Sequence, residues 1–126
     1  MVNTLQKKVY YLQDLNFQKA IHHIVSVQGY IFIFSKISQY CDVFTSSNVE
    51  LKKAFTLNLP IVPRHAKVLG GRLYIYNDNN LYVYEAHRFT RCLSLFGSEC
   101  IEDVSVYGGK KIIISTSAGR IIRKNT

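Results

Sequence analysis

Through most of this chain hydrophobic and polar positions alternate in short runs, broken by glycine or by clusters of small polar residues. That is the period-two pattern of half-buried β-strands. Three stretches share one layout: His23 to Ser35, His65 to Asn77, and Asp103 to Ser115. In each, an apolar-rich run leads into a glycine (Gly29, Gly71 or Gly109), a β-branched or aromatic run follows, and a small polar residue closes it. This predicts a hairpin, with glycine supplying the positive φ of the turn. After further polar turns come Tyr40-Cys41-Asp42-Val43-Phe44, Leu81-Tyr82-Val83-Tyr84 and Arg120-Ile121-Ile122-Arg123, which read as third strands. A fourth strand follows twice, over Leu51 to Leu57 and Phe89 to Leu95. Upstream, Val9 to Phe17 holds enough β-formers for one more strand. Asn16 to Ile24 has the length for a short helix, but His22-His23 followed by β-branched residues favours a strand there.

The glycine anchors recur with a period of about forty residues, and each repeat carries up to four strands, as one blade of a β-propeller does. From Ile21 to Thr126 the register resembles tryptophan-aspartate (WD) repeat blades, with Tyr84-Glu85 standing where that family carries its Trp-Asp pair. The resemblance implies an all-β fold, a partial propeller of about three four-stranded antiparallel blades within a single domain over residues 1–126. The blade units fall at approximately 21–58, 63–96 and 101–126, with 9–17 as an extra strand. Three blades are fewer than the four to eight that close a ring. Either a second copy or other protein subunits are therefore expected to complete it, and a sedimentation measurement showing a stable, folded monomer would count against that. The alternative architecture is a small up-and-down β-barrel, which needs no such period.

With 126 residues, 48% of them hydrophobic and 19% charged, the chain has enough apolar material for a packed core. Sixteen Lys and Arg against eight Asp and Glu give a net charge of +8, which favours acidic partners such as RNA or an acidic protein face. The cysteines, Cys41, Cys92 and Cys100, are odd in number and have no CxxC pair. They fit buried or free thiols in a reducing compartment better than a disulfide framework or a zinc module. No apolar run approaches the ~20 residues of a spanning helix, and the N-terminus lacks a secretory pattern. The expected place is intracellular, in cytoplasm or nucleus, with no membrane partner.

Chemistry is sparse. Glu99, Glu102 and Asp103 share one loop and read as a solvated acidic turn rather than as carboxylates facing each other across a cleft. His22 and His23 are adjacent, so on a strand they point to opposite faces and cannot share a metal. Gly70-Gly71-Arg72 and Gly108-Gly109-Lys110-Lys111 are hairpin turns, not phosphate loops, because no helix follows them. Neither a catalytic residue, a metal site nor a cofactor is expected, so the chain reads as a non-enzyme. In a blade, the turn between strands one and two and the loop between strands three and four emerge on one face. That face would collect Arg72, Arg88, Lys110, Lys111, Arg123 and Lys124 as a basic binding surface, with His87 beside them. The expected function is a non-catalytic protein–protein interaction scaffold, one subunit of a larger assembly. The alternatives are an RNA or ribonucleoprotein binder using the basic face, and a small-ligand-binding β-barrel.

Overall fold

Apart from Gly97 and Gly119, the described residues with positive φ occur along this chain in adjacent pairs. They are Gln28 and Gly29 (53° and 81°), Gly70 and Gly71 (60° and 77°), Ala86 and His87 (50° and 64°), and Gly108 and Gly109 (53° and 79°). The first three pairs are complete two-residue loops between strands, the geometry of the type I′ hairpin, whose twist matches that of the strands it joins. Ala86-His87 adopts it with no glycine at all. The computed structural model describes residues 21–35, 38–46, 50–109 and 111–125. The strand expected over 9–17 lies outside the described residues.

Eleven strands are described: β1 (Ile21–Val27), β2 (Tyr30–Ser35), β3 (Tyr40–Ser46), β4 (Leu51–Asn58), β5 (His65–Leu69), β6 (Arg72–Tyr76), β7 (Asn80–Glu85), β8 (Arg88–Ser94), β9 (Ile101–Tyr107), β10 (Lys111–Thr116) and β11 (Ile121–Asn125). They form three antiparallel meanders, in the orders β1-β2-β3-β4, β5-β6-β7-β8 and β9-β10-β11. Among the described residues there is no helix, and none of the three sheets closes on itself. The fold is all-β, and the alternative of an up-and-down barrel is not what these strands form. The hairpin loops are too short to carry a strand anywhere but beside its predecessor, which is why each sheet is a simple meander.

The chain divides into two compact units, Met1–Asn58 and Leu59–Thr126. In the first, β2 is buried along its length from Ile31 to Ser35. Register places Phe32 and Phe34 opposite Val43 and Cys41 on one face, while Ile31, Ile33, Phe44 and Leu51 cluster on the other. Burial pushes the Cys41 thiol up to about 12, so it packs as a small apolar side chain. The outer strand β4 is solvated, with Lys53 reaching Asp42 at 3.3 Å and the Thr56 hydroxyl donating to the same carboxylate at 3.0 Å.

The second unit stacks two sheets face to face. Tyr74 and Tyr76 of β6, Leu81 and Val83 of β7, Leu93 of β8 and Leu95 just after it meet Ile101 and Val104 of β9 and Ile112 and Ile114 of β10. The alternation of these positions brings one face of each sheet into a common core. Tyr74 and Tyr76 are packing residues at this interface, not a stacking platform open to solvent.

Candidate binding surface

The two ends of the second unit are built differently. At one end, the β6–β7 turn is ordered by the Asn77 carboxamide oxygen, which accepts from the backbone N–H of Asn79 at 3.0 Å and of Asn80 at 2.8 Å. This Asx geometry presents the Asp78 carbonyl to Ile101 N–H of the following sheet and the Asn79 carbonyl to Leu95 N–H just after β8, both at 2.7 Å. The β8–β9 connection is in turn fastened to the β10–β11 turn. Cys100 N–H donates to Ser117 Oγ at 2.8 Å, and Ser117 N–H donates to the Cys100 carbonyl at 2.8 Å.

Glu99 anchors that junction. Arg120 grips its carboxylate with two parallel bonds, Nε to Oε2 and Nη2 to Oε1, both 2.7 Å, and the buried Thr116 hydroxyl donates to Oε2 at 2.6 Å. The Arg120 fork, then the Thr116 hydroxyl, hold the Glu99 carboxyl down at about 2. Glu99 is therefore a clamp residue, with a side chain only 16% exposed, and not part of a freely solvated acidic loop. Nothing local in the sequence signals this, because the partners come from a turn the chain reaches only after β9 and β10.

Two further acids, Asp78 at this end and Asp103 on β9, are also paired. Arg64 pairs with Asp78, and Lys67 of β5 bonds Asp103 of β9 at 2.6 Å. The Lys67 contact, with help from the Val104 N–H, lowers the Asp103 carboxyl, and the same hydrogen bond raises the Lys67 ammonium. Lys67 also lies 6.0 Å from the Tyr76 ring centroid, and His65 stacks on that ring at 5.0 Å. His65 thus has a packing contact within its own sheet.

At the opposite end the glycine hairpins come together. A Cβ on Gly70 would lie 3.5 Å from the Val106 side chain and 3.9 Å from the Gly109 carbonyl, so the β5–β6 and β9–β10 turns are neighbours. The β7–β8 turn lies at the same end of its meander as β5–β6. Arg72 opens β6, Arg88 opens β8 and Lys111 opens β10, each directly beyond its turn. Register sets Arg123 and Lys124 of β11 opposite Ile113 and Ile112, beside Lys111. Lys110 lies outside the described residues.

Arg72 differs from the rest. Its guanidinium is 2.7 Å from Glu85 and is largely covered, so its charge is committed across the β6–β7 pair. Burial raises the thiol of the half-buried Cys92; Glu85 adds to this, and Arg72 and Lys124 pull the other way, which places Lys124 within electrostatic reach of this group. Arg88, Lys111, Arg123 and Lys124 are exposed and, among the described residues, have no carboxylate partner. Tyr107, 40% exposed, faces Lys111 across β9–β10, and Ile121, 60% exposed, precedes Arg123 on the same face of β11, toward the Arg120 end of that strand.

This surface offers positive charge and hydrogen-bond donors beside an aromatic and an aliphatic side chain. Among the described residues, no group of three or more His, Cys, Asp or Glu could hold a metal ion, and no helix is long and apolar enough to cross a membrane. All three cysteines are free thiols. No family model matches the chain, and no curated protein matches it.

Proposed function

We propose that this chain is a non-catalytic interaction module whose sheets are blades of a partial, WD-like β-propeller, and that it docks an acidic face of another protein subunit. The observation that carries the reading is the asymmetry of the second unit. One end has its acids paired at Asp78 and Glu99, and at the other Arg88, Lys111, Arg123 and Lys124 have no carboxylate partner among the described residues, Glu85 there being engaged by Arg72. An unpaired basic patch steers and orients an acidic partner, and arginine and tyrosine beside aliphatic carbon are the groups that protein interfaces favour. Free thiols support an intracellular place for the assembly.

A second reading is supported by the pairing of exposed Tyr107 with Lys111, since an aromatic ring beside a cation suits single-stranded RNA. Crosslinking of the intact chain in cells, with Arg88→Glu/Lys111→Glu as the comparison, separates the two. A protein crosslinked by the native chain and lost from the variant supports the scaffold. RNA lost in its place supports the second reading, and an unchanged crosslinking pattern removes both. Sedimentation of the purified chain reports separately whether a second copy completes the assembly.

A further inference from the structure

We infer that β11 accepts an extended acidic segment of a partner protein as a fourth, antiparallel strand of the third sheet. This rests on the reading of the chain as an interaction module and names the partner's chemistry. Among the described residues β11 is an edge strand, bonded to β10 on one side. An edge presents a row of backbone donors and acceptors, the template for strand addition.

The edges are not equivalent. The pairings that hold the outer strands β4 and β8 each contain a register shift, at Val43/Phe44 and at Leu81/Tyr82, and β1 and β9 carry shifts too. Such irregularities twist an edge away from a new partner. β10–β11 runs through its register from Lys111↔Asn125 to Ser115↔Ile121 without one. β5 is also regular, but its Lys67 is already tied to Asp103.

Charge chooses the occupant. Ile122 and Lys124 lie on the face toward the second sheet, opposite the buried Ile114 and Ile112, and Ile121, Arg123 and Asn125 lie on the outer face. An added strand meets one cation and one isoleucine on each face. A second copy of β11 paired antiparallel about Arg123 would set arginine against arginine, and like charges directly opposite are destabilising. A strand with two adjacent carboxylates followed by two β-branched residues satisfies both faces in the antiparallel sense that every other pair in the sheets uses. The cations thus deter self-pairing and admit acidic strands.

The test uses fluorescein-labelled hexapeptides titrated into the intact chain and followed by anisotropy. Thr-Glu-Glu-Val-Val-Thr should bind at least about tenfold more tightly than Thr-Val-Val-Glu-Glu-Thr, which has the same charge and composition and reverses the order. N-methylation of alternate peptide bonds that would face β11 should abolish the difference. Arg123→Glu/Lys124→Glu should transfer the preference to Thr-Lys-Lys-Val-Val-Thr. Equal affinity for the two orders, survival of binding after N-methylation of the alternate set that would face β11, no binding of either peptide, or an RNA oligonucleotide that binds through Arg123 and Lys124 while the peptides do not, would each overturn the inference. If the peptides fail while a protein crosslink sensitive to Arg88→Glu/Lys111→Glu persists, strand addition falls and the interaction-module reading stands.

Discussion

Glu99 concentrates three contacts on one carboxylate, and its consequence is a defined acid response. The group is lowered from 4.5 to about 2 in the folded chain, so its contribution is fully present above its unfolded value and is lost as pH falls toward the folded one. We expect thermal stability to decline between about pH 4.5 and 2, with Asp103 adding in the same direction. Glu99→Gln should lower the melting temperature at neutral pH and flatten its fall across that window; an equally steep acid profile in the variant would rule out this role. Ala86 and His87 make a second residue-scale case, because both hold positive φ without glycine. Ala86→Asn/His87→Gly installs the preferred pair of a type I′ turn, and should stabilise the chain by about 1 kcal/mol in urea titrations. The glycine turns were legible because Gly29, Gly71 and Gly109 sit between runs of β-formers. The Ala86-His87 turn had no such marker and is imposed by the pairing of β7 with β8.

At the scale of elements, stability of the second unit resides in the layer between its sheets. Ile114 is fully buried there, and Ile114→Ala should cost about 2–5 kcal/mol by equilibrium denaturation, whereas Thr90→Ala on the exposed face of β8 should stay within about 0.5 kcal/mol. Loss of comparable size at both positions would mean that this layer is not the core. Period-two alternation revealed most strands, because a side chain's face follows directly from its position along a strand. It did not reveal which strands bury both faces. β2 and β6 are buried on both faces, and in the sequence their continuous Phe, Ile and Tyr runs look the same as any apolar stretch.

Across the whole molecule, a net charge of +8 becomes informative only once its pairing is known. Lys52, Lys53, Arg64, Lys67, Arg72 and Arg120 are engaged with carboxylates, and the patch of Arg88, Lys111, Arg123 and Lys124 is what remains for a partner among the cations described here at the turn end of the second unit. Binding of an acidic protein by this patch should weaken as salt shortens the Debye length from ~10 Å at 0.1 M to ~3 Å at 1 M, and do so mainly through the association rate. Stopped-flow association that is insensitive to salt would contradict an electrostatic docking surface.

The amino-acid sequence by itself determined the strand-rich class, the glycine-anchored repeat and the excess of positive charge, since each depends on composition or on spacing along the chain. Only the tertiary structure decided which charges are cancelled. Glu99 and Arg120 are remote in sequence and meet through the folding of the β9-β10-β11 meander, Lys67 and Asp103 through the stacking of one sheet on another, and no local pattern encodes either contact. The same stacking of the second unit's sheets brings the Gly71 and Gly109 hairpins side by side, and so gathers lysines and arginines that are remote in sequence at one end of that unit.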